Sequence, residues 1–170
     1  MELSMIIRNE MQSDVEVIFK ITQAAFADHP YSHQTEQFIV NALRAADALA
    51  VSLVAEIDGK VIGHVAFSPV TISDGSHNWY GLGPVSVLPA FQKQGCGKSL
   101  INEGLDLLKT SGAQGCVLVG DPGYYERFGF RNPPHLRHEG VPPENLLVLP
   151  FSEHIPHGVV TFHPAFSATG

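Results

Sequence analysis

The sequence predicts a mixed α/β (α+β) fold built on one sheet, and three observations carry that prediction. Apolar residues recur at helical spacing in some segments and run continuously or alternate in shorter ones. The resulting order is strand, two helices, several strands, helix, strand, short helix, strands, which suits helices packed on one sheet. The chain has 170 residues, 44% of them apolar, enough for one core and too apolar for a disordered chain.

Met5-Ile6-Ile7 suits a first strand. Ser13-Asp14-Val15-Glu16 predicts a capping box in which Ser13 caps and Glu16 reaches back. Val15, Ile18, Phe19, Thr22 and Phe26 then share a helical stripe, which His29-Pro30 ends. Thr35 to Ala46 reads as a second helix with Phe38, Ile39, Ala42 and Leu43 on one side. Leu49 to Ile57 and Val61 to Val70 flank Asp58-Gly59, a hairpin signal. Asp74-Gly75 marks another turn. Trp79 to Leu88 reads as a strand interrupted by Gly81, Gly83 and Pro84, so a bulge or splayed pairing is expected. Ser99 to Lys109 is an amphipathic helix with Gly112 as its stop. Cys116 to Val119 reads as a buried strand, and Tyr124 to Phe128 as one or two helical turns ended by Gly129. After a stretch broken by prolines 133, 134, 142 and 143, Leu146 to Leu149 and Gly158 to Phe162 offer late strands.

The formal net charge is −7 and the pI about 5.6. That argues against bulk nucleic-acid binding, which needs a basic face. No apolar run approaches the ~20 residues of a membrane helix. Met1 to Arg8 shows no signal-peptide pattern. Two cysteines, Cys96 and Cys116, make no disulfide framework, so a cytoplasmic home is expected. His135 with His138, and His154 with His157, lie in proline- or glycine-rich segments without neighbouring cysteines. Neither pair matches a zinc site, and no metal is expected.

The segment that carries chemistry runs from Gly83 to Phe130. Gln92-Lys93-Gln94-Gly95-Cys96-Gly97-Lys98 lies between an apolar strand and an amphipathic helix. Glycines there let the backbone approach a ligand, and the free N–H groups and dipole of the helix start favour anions. A phosphate or pyrophosphate cradle is the physical reading, with Lys93 and Lys98 at its rim; a plain tight turn is the bland one. Gly97-Lys98-Ser99 also matches the end of a P-loop, and Val117 to Asp121 looks like a magnesium-binding strand. Where that loop needs its first glycine, however, this chain has Gln92.

Val87-Leu88-Pro89-Ala90-Phe91-Gln92-Lys93-Gln94-Gly95-Cys96-Gly97 resembles the acetyl-CoA motif of the GNAT N-acetyltransferases. Tyr125-Glu126-Arg127-Phe128-Gly129-Phe130 matches that family's downstream tyrosine and Gly-Phe signature. The fuller run from Gly120 to Phe130 resembles the YhbS-like branch. The resemblance implies a single domain over 1–170. Its central sheet is mixed and mostly antiparallel, with one splayed strand pair, and helices flank it. It further implies acetyl-CoA as co-substrate. Val85, Ser86 and Val87 match the pantetheine-binding positions, a backbone N–H near Val87 serving as oxyanion donor. Gln92, Lys93, Gln94, Gly95, Cys96, Gly97, Lys98 and Ser99 match the diphosphate loop. Tyr125 falls on the general-acid position, suited to a phenol that is protonated at neutral pH; Tyr124 is its nearest rival. Cys96 reads as a small variable residue, since the family transfers the acetyl group directly.

The general base is not legible. Trp79 to Leu88 contains no carboxylate, unlike some GNAT enzymes. Glu56 and Asp121, at strand ends, are candidates beside the plainer reading of solvated carboxylates. His29, Tyr31 and His33 lie between the first two helices, where the family shapes its acceptor pocket. The expected reaction is acetyl transfer to a primary amine, of a small molecule or a peptide, in a ternary complex. The missing strand carboxylate keeps open a non-catalytic acyl-CoA-binding module, and the resemblance leaves a homodimer open.

Overall fold

The computed structural model describes residues 4–170; the first residues of the Met1 to Arg8 segment lie outside the described residues. A six-stranded sheet has the order β1-β2-β3-β5-β6-β8. Its strands are β1 (Met5–Asn9), β2 (Val51–Ile57), β3 (Lys60–Pro69), β5 (Trp79–Val87), β6 (Gly115–Val119) and β8 (Leu146–Pro150). Every neighbouring pair is antiparallel except β5 with β6, so the sheet is mixed and mostly antiparallel, as expected. A small second sheet joins β4 (Thr71–Ile72), β9 (Gly158–Thr161) and β7 (Leu136–Arg137). Strands β4 and β7 have two residues each, too short for a periodic signal in the sequence.

Asp58 and Gly59 take φ of 51° and 78°, the left-handed pair that a tight β2–β3 hairpin requires. On one face of the sheet α3 (Cys96–Thr110) buries Leu100, Ile101, Leu105 and Leu108 against Leu53, Val65 and Phe67. On the other, α1 (Val15–Phe26) and α2 (Glu36–Ala45) bury Ile18, Ile21 and Val40 against Val54 and Val61. The helical stripes thus fall where the periodicity places them, and α3 begins earlier than its apolar stripe, at Cys96.

The start of α1 differs from the expectation. A turn over Gln12–Asp14 precedes it, and Asp14 rather than Ser13 stands at the N-cap position, without a side-chain bond into the helix. Its Oδ2 accepts from the Met11 N–H at 2.7 Å. The same carboxylate takes two bonds from Arg8, of 2.7 and 3.1 Å. The Asp14 carboxylate is therefore held by an arginine on β1, a partner that local pattern does not reveal.

Candidate active site

Strands β5 and β6 pair only over Trp79–Gly81 and Gly115–Val117. Beyond Gly81 the two diverge, and β5 runs on to Val87 with its β6-facing edge unpaired. Its sequence explains this. Pro84 has no N–H for a ladder, Gly83 sits at φ 136°, and the register with β3 shifts by a bulge between Val65 and Phe67. Leu88 N–H donates to Ile62 C=O at 2.9 Å. By the alternation of an antiparallel ladder, Ser86 then turns its main-chain groups to β3, and Val85 and Val87 turn theirs to the gap. A free strand edge therefore lines the opening.

The gap leads to the loop before α3. Gln92 Nε2 donates to Val87 C=O at 2.9 Å, and Gln94 Nε2 to Ala90 C=O at 3.3 Å. These two side chains hold the loop to the strand end. Lys93 at φ 63° and Gly95 at φ 88° turn the chain into the helix. The first bond of α3 runs from Ser99 N–H to Gly95 C=O, 3.0 Å. Among the described residues, the N–H groups of 93–98 find no acceptor. Such a run of unpaired donors at a helix head suits an anion. No atom lies within 4 Å of the direction a side chain at Gly95 would take, so the cradle is open. The Cys96 side chain turns the other way, buried against Gly63 and Leu100. Burial pushes its thiol up to about 11, so it is no thiolate at neutral pH.

The segment after β6 closes the other side. Asp121 Oδ1 accepts from Gly123 N–H at 3.0 Å and starts α4 (Pro122–Tyr125). Gly129 at φ 98° ends the following turn. Tyr125, half-buried, packs edge-on to Phe130 and Tyr124 at centroid distances of 6.1 and 4.9 Å. Burial, reinforced by Tyr124, Cys116 and Asp121, pushes its phenol up to about 12. It therefore keeps its proton at neutral pH and has one to donate. The Tyr124 hydroxyl lies 3.6 Å from the position of a β-carbon on Gly97, which places this ring against the cradle.

Two arginines, given no role in the sequence reading, join the site. The Arg127 guanidinium lies 4.4 Å from the Tyr124 ring centroid. Lys98, Gly123, Glu126, Arg127 and Arg131 line an open cavity of about 610 Å³. Three cations against one carboxylate make it a basic wall beside the head of α3. Lys98 was legible from the loop. The arginines gain their meaning only from the fold, which brings α4 to α3.

The other expected residues scatter. His29 and Tyr31 meet edge-on at 6.3 Å between ring centroids in the loop between α1 and α2, and with His33 they are exposed, Tyr31 at 90%. Glu56 is bonded by Arg8 Nη2 at 3.3 Å on β2, with β3 between it and β5. Asp121 is engaged as the α4 cap. Among the described residues, no group of three or more His, Cys, Asp or Glu could hold a metal ion. No described helix is long and apolar enough to cross a membrane.

Comparison with known proteins matches residues 18–130 to the acetyltransferase (GNAT) family. The chain is 37% identical over 132 residues to the uncharacterised N-acetyltransferase YhbS of Escherichia coli K12, covering 77% of this chain and 76% of that one. A GNAT family acetyltransferase from Brucella melitensis, solved in complex with acetyl-CoA, superposes with a TM-score of 0.86. It is 51% identical, over 96% of this chain and 99% of its own. Escherichia coli YhbS in complex with CoA superposes with a TM-score of 0.89 at 32% identity, over 99% and 95%.

Proposed function

From the premise that this chain belongs to the GNAT acetyltransferase family, we propose that it moves the acetyl group of acetyl-CoA to a primary amine by direct attack in a ternary complex. One observation carries the reading most: the open edge of β5 runs straight into the unpaired N–H groups of 93–98. Strand edge and helix head together suit a cofactor with an amide-bearing arm and a diphosphate. That acetyl-CoA and CoA occupy solved relatives supports the same cofactor here.

Bound acetyl-CoA supplies an activated thioester carbonyl. Residues Gln92, Lys93, Gln94, Gly95, Cys96, Gly97, Lys98 and Ser99 would take the diphosphate, mainly through main-chain N–H groups. Val85 and Val87 would hold the pantetheine arm along the strand edge, Ser86 keeping that strand on β3. A main-chain N–H in this stretch, near Val87, would stabilise negative charge developing on the carbonyl oxygen. Tyr125 would donate to the leaving sulfur. A thiol has pKa near ~8.5, well below the phenol's, so the proton transfer is uphill and hydrogen bonding to the developing thiolate is the phenol's main effect. Holding both reactants in place supplies much of the rate. His29, Tyr31 and His33, with Glu56 and Asp121 more remotely, are the acceptor-side candidates for a small-molecule or peptide amine. A single domain over 1–170, acting in the cytoplasm as a monomer or homodimer, completes the proposal; free, buried Cys96 and Cys116 support that compartment.

An amine panel with acetyl-CoA, followed by free-thiol release, tests the reading. Wild type should turn over at least one amine, and Tyr125→Phe should lose turnover while still binding CoA. Binding without turnover on any amine would favour an acyl-CoA-binding module instead.

A further inference from the structure

We propose that His138 is the general base of the transfer, taking the acceptor's ammonium proton on its Nε2 atom at the face of the gap opposite α3. The proposal rests on the acetyltransferase reading and supplies the base that reading lacks.

One bond sets the tautomer of His138. Its Nδ1 lies 2.9 Å from the Val160 carbonyl oxygen on β9. A carbonyl only accepts, so Nδ1 carries the proton and donates it. Nε2 is then a bare lone pair. Among the described residues it bonds to nothing, and it stands outside the set of polar atoms that are both buried and unpartnered, so it reaches open space. The ring is half-buried and meets Phe162 edge-on, with centroids 4.9 Å apart. An imidazole oriented through one nitrogen by a main-chain carbonyl, with the other nitrogen free, is equipped to take a proton.

Phe162 ties this ring to the opening. Gly81 is the last residue of β5 that pairs with β6, opposite Val117, and the gap opens just beyond it. A β-carbon at Gly81 would fall 2.9 Å from the Phe162 ring. That ring therefore covers the apex of the gap, and His138 stands beside it. The face is fixed as well. Cys116 and Leu118 point into the α3-side core, on which Val85, Val87 and Tyr125 pack. Val117, between them, points the other way, into a second cluster with Leu136 and Phe162. The phenol and the cofactor loop thus lie on the α3 side of the sheet and His138 on the opposite side. A thioester held from the α3 side leaves its other flank to the amine, and Nε2 is open on that flank.

No charged group contests the ring. Val160 and Phe162 carry no charge, the chain neighbours Arg137 and Glu139 are exposed, and no ion pair among the described residues includes His138. His163, next to Phe162, spends its Nδ1 lone pair on the Ala165 N–H at 3.0 Å.

The transfer balances. The ammonium gives one proton to Nε2, and the electron pair left on nitrogen attacks the thioester carbon. As the C–N bond forms and the C–S bond breaks, the nitrogen sheds a second proton, which ends on the departing sulfur. His138 then passes its proton from Nε2 to water. Nδ1 keeps its own proton on Val160 throughout, so the starting tautomer returns.

The test compares wild type and His138→Asn with acetyl-CoA and either spermidine or a short peptide bearing a free N-terminus. Asparagine keeps an N–H where Nδ1 stands and removes the base. It should lower kcat/KM for the amine about 100-fold near neutral pH, with acetyl-CoA affinity by calorimetry unchanged. The deficit should close as pH approaches the amine's own pKa, near ~10 for an alkylamine and near ~8 for a peptide N-terminus, where the acceptor needs no base. His138→Asn at the wild-type rate overturns the proposal. A deficit equal at every pH does so too, and leaves the histidine a packing role alone. The ¹⁵N spectrum of wild-type His138 should show Nδ1–H; an Nε2–H tautomer overturns the proposal whether or not the variant folds. Acetyl-CoA binding without transfer to any amine by wild type overturns the transferase reading and the base together; transfer with a pH-independent deficit overturns the base alone.

Discussion

The Tyr125 ring lies against the main chain of Gly120: a β-carbon at Gly120 would fall 2.6 Å from its Cε2 atom. The absence of a side chain at the end of β6 thus sets where the phenol stands. Gly120→Ala should push the ring aside without touching the loop before α3. We expect kcat to fall about tenfold with little change in acetyl-CoA KM, the pattern of a lost group acting in the transition state. Tyr125→Phe provides the reference. An unchanged kcat in both variants would remove the tyrosine from the reaction.

Gly95 turns the chain into α3 at φ 88°, with open space around it. Alanine there meets no clash and pays only the left-handed backbone, about 1–2 kcal/mol. The loop would relax and spoil the alignment of its N–H groups. Gly95→Ala should weaken CoA binding about tenfold by calorimetry, roughly the same free energy, with a small loss of thermal stability.

Burial holds the His64 pKa down at about 4 in the fold, against 6.5 as its ordinary value. The unfolded chain therefore takes up a proton first as pH falls. The stability tied to a neutral His64 is complete above pH 6.5 and is lost between 6.5 and about 4, in total about 3 kcal/mol. Glu10 and Asp14, both held low by their arginines, add losses in the same direction at more acid pH. The thermal midpoint should be level above pH 7 and fall from about 6.5 downward. A midpoint that stays level to pH 5 would show His64 to be charged or solvated in the fold.

Arg127 sits on the Tyr124 ring at the edge of the basic cavity that Lys98 and Arg131 share. Arg127→Ala should weaken CoA binding about fivefold at low salt, the scale of an exposed charge contact. The difference should shrink as salt rises and screens that charge. A loss independent of salt would assign the arginine to packing on the ring instead.

Much of this was legible beforehand. The Asp58-Gly59 hairpin, the helical stripes of α1, α2 and α3, the interrupted strand β5 and the loop before α3 all lie where pattern places them, because each depends on residues near in sequence. Others depended on partners far away. Ser13 satisfied the local capping rule, yet Arg8 recruited Asp14. Glu56 stood at a strand end like a candidate base, and in the sheet β3 lies between it and β5 while the same arginine bonds it. His64 was one polar residue inside an apolar run, and its hydrogen-bond partner, Ser52, lies on another strand.

By itself the sequence determined the longer elements, the family resemblance and a loop suited to a diphosphate, since turn chemistry and periodicity act over a few residues. Only the tertiary structure decided which polar groups are buried, paired or orphaned. Those properties belong to the packed sheet: the splay of β5 from β6, the tyrosine seated on Gly120, and the line from His64 through Ser52 to Glu10 exist only once distant strands lie side by side.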